Sequence, residues 1–574
     1  MNPIPMSLVD ILQKRAESQS QKLAYRFLTD GEEVEVDLTY EQLDRRARSI
    51  GALLQANTEA GDRVLLLLPA GLDFIAAYFG CLYAKLIAIP VPPPHPARLA
   101  KTLATSLRIA SDAKPTVALV SNSLFKAIAT KADISNQFRK MKLLVADKNE
   151  IGNWADKWQK PIIKESDIAF LQYTSGSTST PKGVMLSHGN LLHNLELIEK
   201  SFGQSNKSET VIWLPPYHDM GLIGGILQPL YTGNTVSLIP HLLFLQRPIR
   251  WLKAISRFKA TTSGGPNFAY ELCVKKIKPE QREQLDLSHW EVAFNGAEPI
   301  FHKTLDQFAD YFAPCGFRPE AFSPCYGLAE ATLMVVGTPK NQEPIRKNLL
   351  KSGIEENKTI FAPDESAETQ TVISSGKNIA GQDIRIVDVE TLCPSMPGQI
   401  GEIWLRGPSI AKAYWNKPKA TASTFEAYLA DSKEGPFLRT GDLGFIEEGE
   451  LFVTGRLKNL IIIDGKNHYP HDLERTILQS HSAIRPLGCA VFSVEESGRE
   501  RVIVIAEIQH TRGVNAPEII MAIRKAVSEN HELHVYDVKL SLAGSIPRTT
   551  SGKIKHFLCK ENYLSKTLKE ITLT

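Results

Sequence analysis

The stretch Ile168-Ala-Phe-Leu-Gln-Tyr-Thr-Ser-Gly-Ser-Thr-Ser-Thr-Pro-Lys-Gly183 sets the reading of this chain. Ile168–Leu171 is an apolar run of strand type. Tyr173–Gly183 then crowds hydroxyls, two glycines and a lysine into the loop that follows. Small residues let backbone N–H groups approach a phosphate closely, hydroxyls add donors, and the lysine adds positive charge. This is the composition of a loop that holds a nucleotide triphosphate. It lacks the Walker spacing G-x-x-x-x-G-K-S/T, because Lys182 follows Pro181 and precedes Gly183. Alone, the same residues also describe a Ser/Thr-rich surface turn, so the decision rests on the rest of the chain.

Working outward, short β-rich runs alternate with segments of helical period. Strands are expected at Val64–Leu68, Thr116–Val120, Leu143–Val145, Ile168–Gln172, Val236–Ile239 and Glu291–Phe294. Helices are expected at Tyr40–Gln55 and Asn190–Phe202, the second with Asn190 as its N-cap. Such alternation implies parallel sheets covered by helices, with ligands collecting beyond the C-terminal ends of strands. After about residue 375 the texture turns to strands and tight turns: Ile384–Val387, Glu402–Leu405 and a hairpin over Gly444–Gly455. A new pattern starts near Asn459, with strands at Leu460–Ile463, Cys489–Val494 and Val502–Gln509 and a helix over Pro517–Asn530. We therefore divide the chain into residues 1–457 and 458–574. The polar stretch Pro339–Gln370 reads as an insertion in the first part.

At 574 residues the chain is too long for one core. A hydrophobic content of 43% and a charged content of 22% describe an ordinary globular protein, and a net charge of +3 argues against a nucleic-acid partner. The seven cysteines are scattered, with no C-x-x-C pair, as expected of reduced thiols in the cytoplasm. Met1–Ser18 lacks the apolar core of a signal peptide. Val64–Pro94, the most apolar stretch, is broken by Asp73, Gly80 and Lys85, whereas a membrane span needs roughly 20 apolar residues. A soluble protein without an integral membrane segment is the expectation.

Four further segments follow the first loop in a set order: Tyr326-Gly-Leu-Ala-Glu-Ala-Thr332, Arg439-Thr-Gly-Asp-Leu-Gly444, Gly455-Arg-Leu-Lys458 and Pro547-Arg-Thr-Thr-Ser-Gly-Lys553. Each has an unremarkable explanation by itself, such as turn chemistry for Asp442 or a solvated surface lysine for Lys553. Together, over essentially the whole chain, they resemble the adenylate-forming superfamily. That resemblance implies an α/β adenylate-forming fold: a large N-terminal domain with parallel sheets and a β-rich subdomain, and a small mobile α+β C-terminal domain. It implies ATP and Mg2+, with a carboxylate attacking the α-phosphorus. Thr174, Ser175, Gly176, Ser177, Thr178 and Lys182 would hold the departing phosphates, and Gly296, Ala297, Glu298 and Gly327 would help enclose the nucleotide. Glu330 would bind the metal, Tyr326 would stack on adenine, and Asp442, supported by Arg456, would take the ribose hydroxyls. Lys553 would bridge the carboxylate and the α-phosphate, and Lys458 would be the hinge about which it moves.

Within the superfamily, Ile89-Pro-Val-Pro-Pro-Pro94, Leu214-Pro-Pro-Tyr-His-Asp-Met-Gly-Leu222, Asn295-Gly-Ala-Glu-Pro299 and Asp464-Gly-Lys-Asn-His-Tyr-Pro-His-Asp-Leu-Glu474 resemble fatty acyl-AMP ligases. The resemblance implies a fatty acid substrate passed to an acyl carrier protein acting in trans, with the 339–370 insertion restraining the small domain. His218 either lies near the substrate carboxylate or is a buried structural histidine. Asp219 sits in a context unlike the amino-group reader of peptide synthetases. The open alternatives are a fatty acyl-CoA synthetase using coenzyme A, an amino-acid or aryl-acid adenylating enzyme, and a catalytically silent nucleotide or acyl sensor.

Overall fold

The strand Ile168–Thr174 belongs to a six-stranded sheet ordered 142–145, 117–120, 63–67, 87–90, 168–174, 182–187. This computed structural model describes residues 6–95, 99–130, 141–147, 154–174, 181–379, 381–463, 465–496, 499–509, 515–549 and 552–568. All pairs in the sheet are parallel except the last, where Ile168–Thr174 runs antiparallel to Lys182–Ser187 with Thr174 opposite Lys182. Ile87–Pro90 and Val117–Val120 are buried throughout, which is why they read as continuous apolar runs rather than alternating ones.

A larger sheet carries the other half of residues 1–457. Its parallel part includes 235–238, 209–212, 262–265, 292–295 and 322–327, and its antiparallel part includes 334–337, 369–377, 450–456, 438–447, 401–406 and 383–387. Phe322–Gly327 is the joint: it pairs parallel with Val292–Asn295 and antiparallel with Met334–Gly337. The expected division into a parallel part and a β-rich part is present, yet one strand serves both. Gly327 makes that junction sterically feasible, since a Cβ there would lie 1.7 Å from the Leu333 carbonyl oxygen.

In the C-terminal part, strands Ile484–Glu496, Arg499–Ile508 and Val535–Leu542 form a separate sheet. Helices Pro470–Ser480 and Ala516–His531 cover one face through Leu473, Ile477, Ile519 and Ile523, packed on Val491 and Val504. The stretch 339–370, which the sequence reads as an insertion, is folded. Strands Arg346–Leu350 and Phe361–Ala362 flank a short helix, Lys351–Glu355, whose Ile354 is buried with Val372, Phe445 and Phe452. It also reaches the C-terminal part, because Glu355 pairs with Lys466 at 3.1 Å and Gln370 Nε2 donates to Asp472 Oδ2 at 3.2 Å.

The helix Tyr40–Gln55 has the expected bounds, but the helix expected from Asn190 begins at His188. Its N-cap is Ser187. Asn190 stands three residues inside, returning its side-chain oxygen to the Ser187 N–H in a capping box. All seven cysteines are unpaired, and among the described residues no helix is long and apolar enough to cross a membrane.

Gly327→Ala forces the 322–327 and 334–337 strands apart and is expected to cost about 1–3 kcal/mol of stability, as overpacking does. Urea unfolding monitored by tryptophan fluorescence checks it, and an unchanged midpoint would contradict the close approach.

Candidate active site

A cleft of about 2440 Å³ opens between residues 1–457 and 458–574. The strand Leu438–Glu447 pairs with Glu450–Arg456 in a register that sets Asp442 opposite Arg456. That cross-strand placement gives Arg456 Nε a 2.7 Å bond to Asp442 Oδ1. The other carboxylate oxygen, Oδ2, accepts from the Tyr326 hydroxyl at 2.8 Å. Tyr326 is buried on the joint strand, so one hydrogen bond ties the parallel and antiparallel parts of the sheet at the cleft. The attraction of Asp442 raises the Arg456 pKa further, and half of that side chain stays exposed along the cleft wall.

Glu330 follows the same strand in a single helical turn, and its Oε1 accepts from the Tyr414 hydroxyl at 2.6 Å. Lys182 lies over the ring of Tyr414, 4.8 Å from its centroid. Burial lowers the Lys182 pKa, Lys458 pushes the same way, and Glu330 opposes both. Two loop sites far apart in sequence thereby share Tyr414. Thr174 lines the cleft beside Lys182 at the mouth of the hairpin, while Ser175, Gly176, Ser177 and Thr178 lie outside the described residues. The strand Ile168–Thr174 is as expected, and the next described element is a second strand, Lys182–Ser187, paired antiparallel with it.

Lys553 enters from the C-terminal part. The turn before it is held by Lys553 N–H donating to Thr549 Oγ1 at 3.0 Å and by Arg548 Nη1 donating to the Gly552 carbonyl at 2.9 Å. Gly552 has φ +89°, a conformation glycine adopts freely. Burial lowers the ammonium pKa, Asp219 raises it, Arg456 lowers it, and Glu298 and Asp442 raise it. Lys553 therefore faces the same group of charges as the Tyr326–Asp442–Arg456 set.

His218 Nδ1 pairs with Asp219 Oδ1 at 2.7 Å, and about a quarter of the His218 side chain is exposed. Asp219 also accepts from the Met220 N–H at 2.8 Å, at the start of a π-type helix, Met220–Leu227. Burial raises the Asp219 pKa, but His218, Lys553 and the Met220 N–H hold it below the usual value.

Of the Asn295–Pro299 segment, Ala297 and Glu298 line the cleft, with Ala297 at φ +72°. Gly296 sits behind them, where a Cβ would meet the Cys325 carbonyl oxygen at 2.7 Å. Glu298 Oε1 accepts from the Phe268 N–H at 2.6 Å and so caps the helix Asn267–Lys276. Burial pushes its carboxyl up to about 7, against the pull of the Phe268 N–H and Lys553.

Sequence reasoning missed Tyr414 and set Asp219 aside. Tyr414 lies 84 residues from Glu330, with no pattern linking them. Asp219 had a signal in its position beside His218, but its proximity to Lys553 depends on how the two parts of the chain meet.

The description "AMP-binding enzyme" matches residues 12–415, and "Disco-interacting protein 2-like, AMP domain" matches residues 458–573. The medium-chain-fatty-acid acyl-carrier-protein ligase JamA of Moorena producens is 46% identical over 98% of this chain and 96% of its own length. A fatty acyl-adenylate ligase from Legionella pneumophila, solved with acyl adenylate and pyrophosphate, is 43% identical with a TM-score of 0.77, over 98% of this chain and 96% of that one. A structure from a study of the fatty acyl-adenylate ligases of Escherichia coli and L. pneumophila is 30% identical with a TM-score of 0.87, covering 98% and 99%.

Glu298→Gln keeps an oxygen for the Phe268 N–H but cannot ionise. A carboxyl raised from about 4.5 to about 7 contributes stability below pH 4.5 that disappears as pH rises through 7. The urea midpoint of the variant relative to wild type is therefore expected to rise between pH 5 and pH 8. A constant difference would contradict the burial of that carboxyl.

Proposed function

Because this chain belongs to the AMP-binding family of ATP-dependent, adenylate-forming enzymes, we propose that it activates a fatty acid as its acyl adenylate and passes the acyl group to the phosphopantetheine thiol of an acyl carrier protein. The observation that carries this reading is the arrival of Lys553, from residues 458–574, in a cleft that already holds Asp442, Arg456 and Glu330. The match to JamA over nearly the whole of both chains supports the carrier protein as acceptor.

In the first step a carboxylate oxygen attacks the α-phosphorus of ATP. The bond from that phosphorus to the bridging oxygen breaks, and pyrophosphate leaves with the electron pair. Both reactants are anions, so the chain must supply fixed positive charge and hold the reactants close. In this reading Lys553 bridges the carboxylate and the α-phosphate. Its lowered pKa comes from burial, and Asp219 on the opposite wall helps keep it protonated. Lys182 and Thr174 would meet the β- and γ-phosphates, the role that the sequence resemblance also implies for Ser175–Thr178. Asp442 takes the ribose hydroxyls, and Arg456 and Tyr326 fix the direction of its oxygens. The Tyr326 hydroxyl is thus a positioning group while its ring is left to stack on adenine.

Glu330 fits a magnesium ion. Its Oε1 is occupied by Tyr414, which leaves Oε2 for a metal, and Mg2+ usually takes one or two carboxylates together with phosphate oxygens and water. Bound there, the metal would neutralise charge on the phosphates. His218, exposed to the cleft and fixed by Asp219, takes the substrate-proximal role in this reading.

In the second step the thiol sulfur attacks the acyl carbon, the bond to the AMP oxygen breaks, and the thiol proton passes to solvent. Lys553 is no longer needed, and rotation about Lys458, in the turn Leu457–Asn459, clears the cleft. The folded insertion, through Glu355 and Gln370, restrains that rotation. Seven unpaired cysteines suit a cytoplasmic location.

The test supplies ATP, Mg2+ and fatty acids with either coenzyme A or phosphopantetheinylated carrier protein. Adenylate formation with acyl transfer to the carrier alone is the expected result. Efficient acyl-CoA formation would reassign the acceptor, and absence of any adenylate would overturn the reading.

A further inference from the structure

The wall of the cleft that would receive the acyl chain is mostly apolar, with Ile198, Phe202, Phe294, Leu333 and Met334 among its residues. Among the polar side chains that interrupt the lining of the cleft are Gln204, Trp213 and Gln228. Gln228 is fully buried, and neither its Oε1 nor its Nε2 has a hydrogen-bond partner among the described residues. The Oε1 of Gln204 and the Nε1 of Trp213 are also buried and unpartnered, and all three residues line the cleft. Buried polar groups are normally hydrogen-bonded, and each one left unpaired costs on the order of 1–3 kcal/mol. A fully saturated acyl chain would leave every one of these atoms unsatisfied.

Their place along the fold is informative. Asp219, opposite Lys553, starts the helical segment that continues through Met220–Leu227 into Gln228–Thr232. Gln228 therefore stands nine residues beyond the reaction centre, roughly 10–13 Å along the helix. Ile198 and Phe202, on the helix His188–Phe202, line the same cleft, and Gln204 lies two residues past the end of that helix.

We propose that the acyl pocket selects a medium-length carboxylic acid carrying a hydrogen-bonding oxygen, a hydroxyl or a carbonyl, near its far end, and that the Gln228 amide reads that group. The amide supplies both a donor and an acceptor, so it suits a hydroxyl, and Trp213 Nε1 adds a donor on the same cleft. This inference rests on the adenylation reading above and specifies its substrate. A site built to bond a hydroxyl discriminates strongly against the analogue that lacks it, whereas an apolar pocket barely separates the two.

The experiment is ATP–pyrophosphate exchange with the full chain, comparing hexanoic, octanoic and decanoic acids with their terminal hydroxy acids, for wild type and Gln228→Leu. Wild type is expected to show kcat/KM at least about tenfold higher for one hydroxy acid than for its parent. Gln228→Leu should abolish or reverse that preference, mainly through KM, while exchange with the saturated acid is retained or improved. Equal use of both series by wild type, or a preference for the saturated acids, overturns the inference and leaves adenylation standing. If Gln228→Leu does not fold, the wild-type comparison decides alone. Absence of exchange with every acid overturns the adenylation reading, and this inference with it.

Discussion

The hydrogen-bonded set Tyr326–Asp442–Arg456 is the constraint on which the rest of the cleft depends. Tyr326 stands on the strand that joins parallel to antiparallel sheet, Asp442 on the β-rich part, and Arg456 at the last residue before the turn leading to the C-terminal part. Asp442 is 7% exposed, so its charge needs the Arg456 guanidinium and the Tyr326 hydroxyl to offset lost hydration. Removing either partner would leave a buried carboxylate underpaired and would free three structural blocks to shift against one another. The proposed ribose site and the integrity of the sheet junction thus rest on the same atoms.

The contacts between the two parts of the chain are of a different kind. Gly455 lies against Tyr469, where a Cβ would come within 2.2 Å of the ring, and Tyr469 is buried with Phe445 and Phe452. Around this apolar contact, the pairs Glu355–Lys466 and Gln370–Asp472 are partly exposed. Exposed pairs contribute about 0–1 kcal/mol each. A closed arrangement held by several such contacts has a defined geometry and a modest cost of opening. This is what the proposed two-step use of the cleft requires.

Much of the fold was legible in the sequence because buried parallel strands and amphipathic helices leave strong periodic signals. Val64–Leu68 and Tyr40–Gln55 lie within a residue of the observed elements. The start of the helix at His188 was displaced because Ser187 and Asn190 are both good capping residues, and the capping box uses both. The order of motifs brought out the charged residues of the site, and the structure gathers Lys182, Glu330, Asp442, Arg456 and Lys553 around one cleft. Tyr414, the proximity of Asp219 to Lys553 and the orphaned amide of Gln228 were not legible. Each depends on contacts between segments distant in sequence, which neither spacing nor composition encodes. A glutamine in an apolar helix looks the same whether it is bonded or not.

In the proposed reaction, residues 458–574 complete the site for the first step only. The most direct measurement follows the two half-reactions separately in Lys553→Ala: exchange of pyrophosphate into ATP with a fatty acid, and transfer from preformed acyl adenylate to carrier protein. Loss of a charge placed on the reacting atoms predicts a fall in exchange of at least about a hundredfold, equivalent to about 2.7 kcal/mol of transition-state stabilisation. Transfer is predicted to stay within a few-fold of wild type. Equal loss in both half-reactions, or exchange unchanged, would contradict the placement of Lys553 and with it the reading of the cleft.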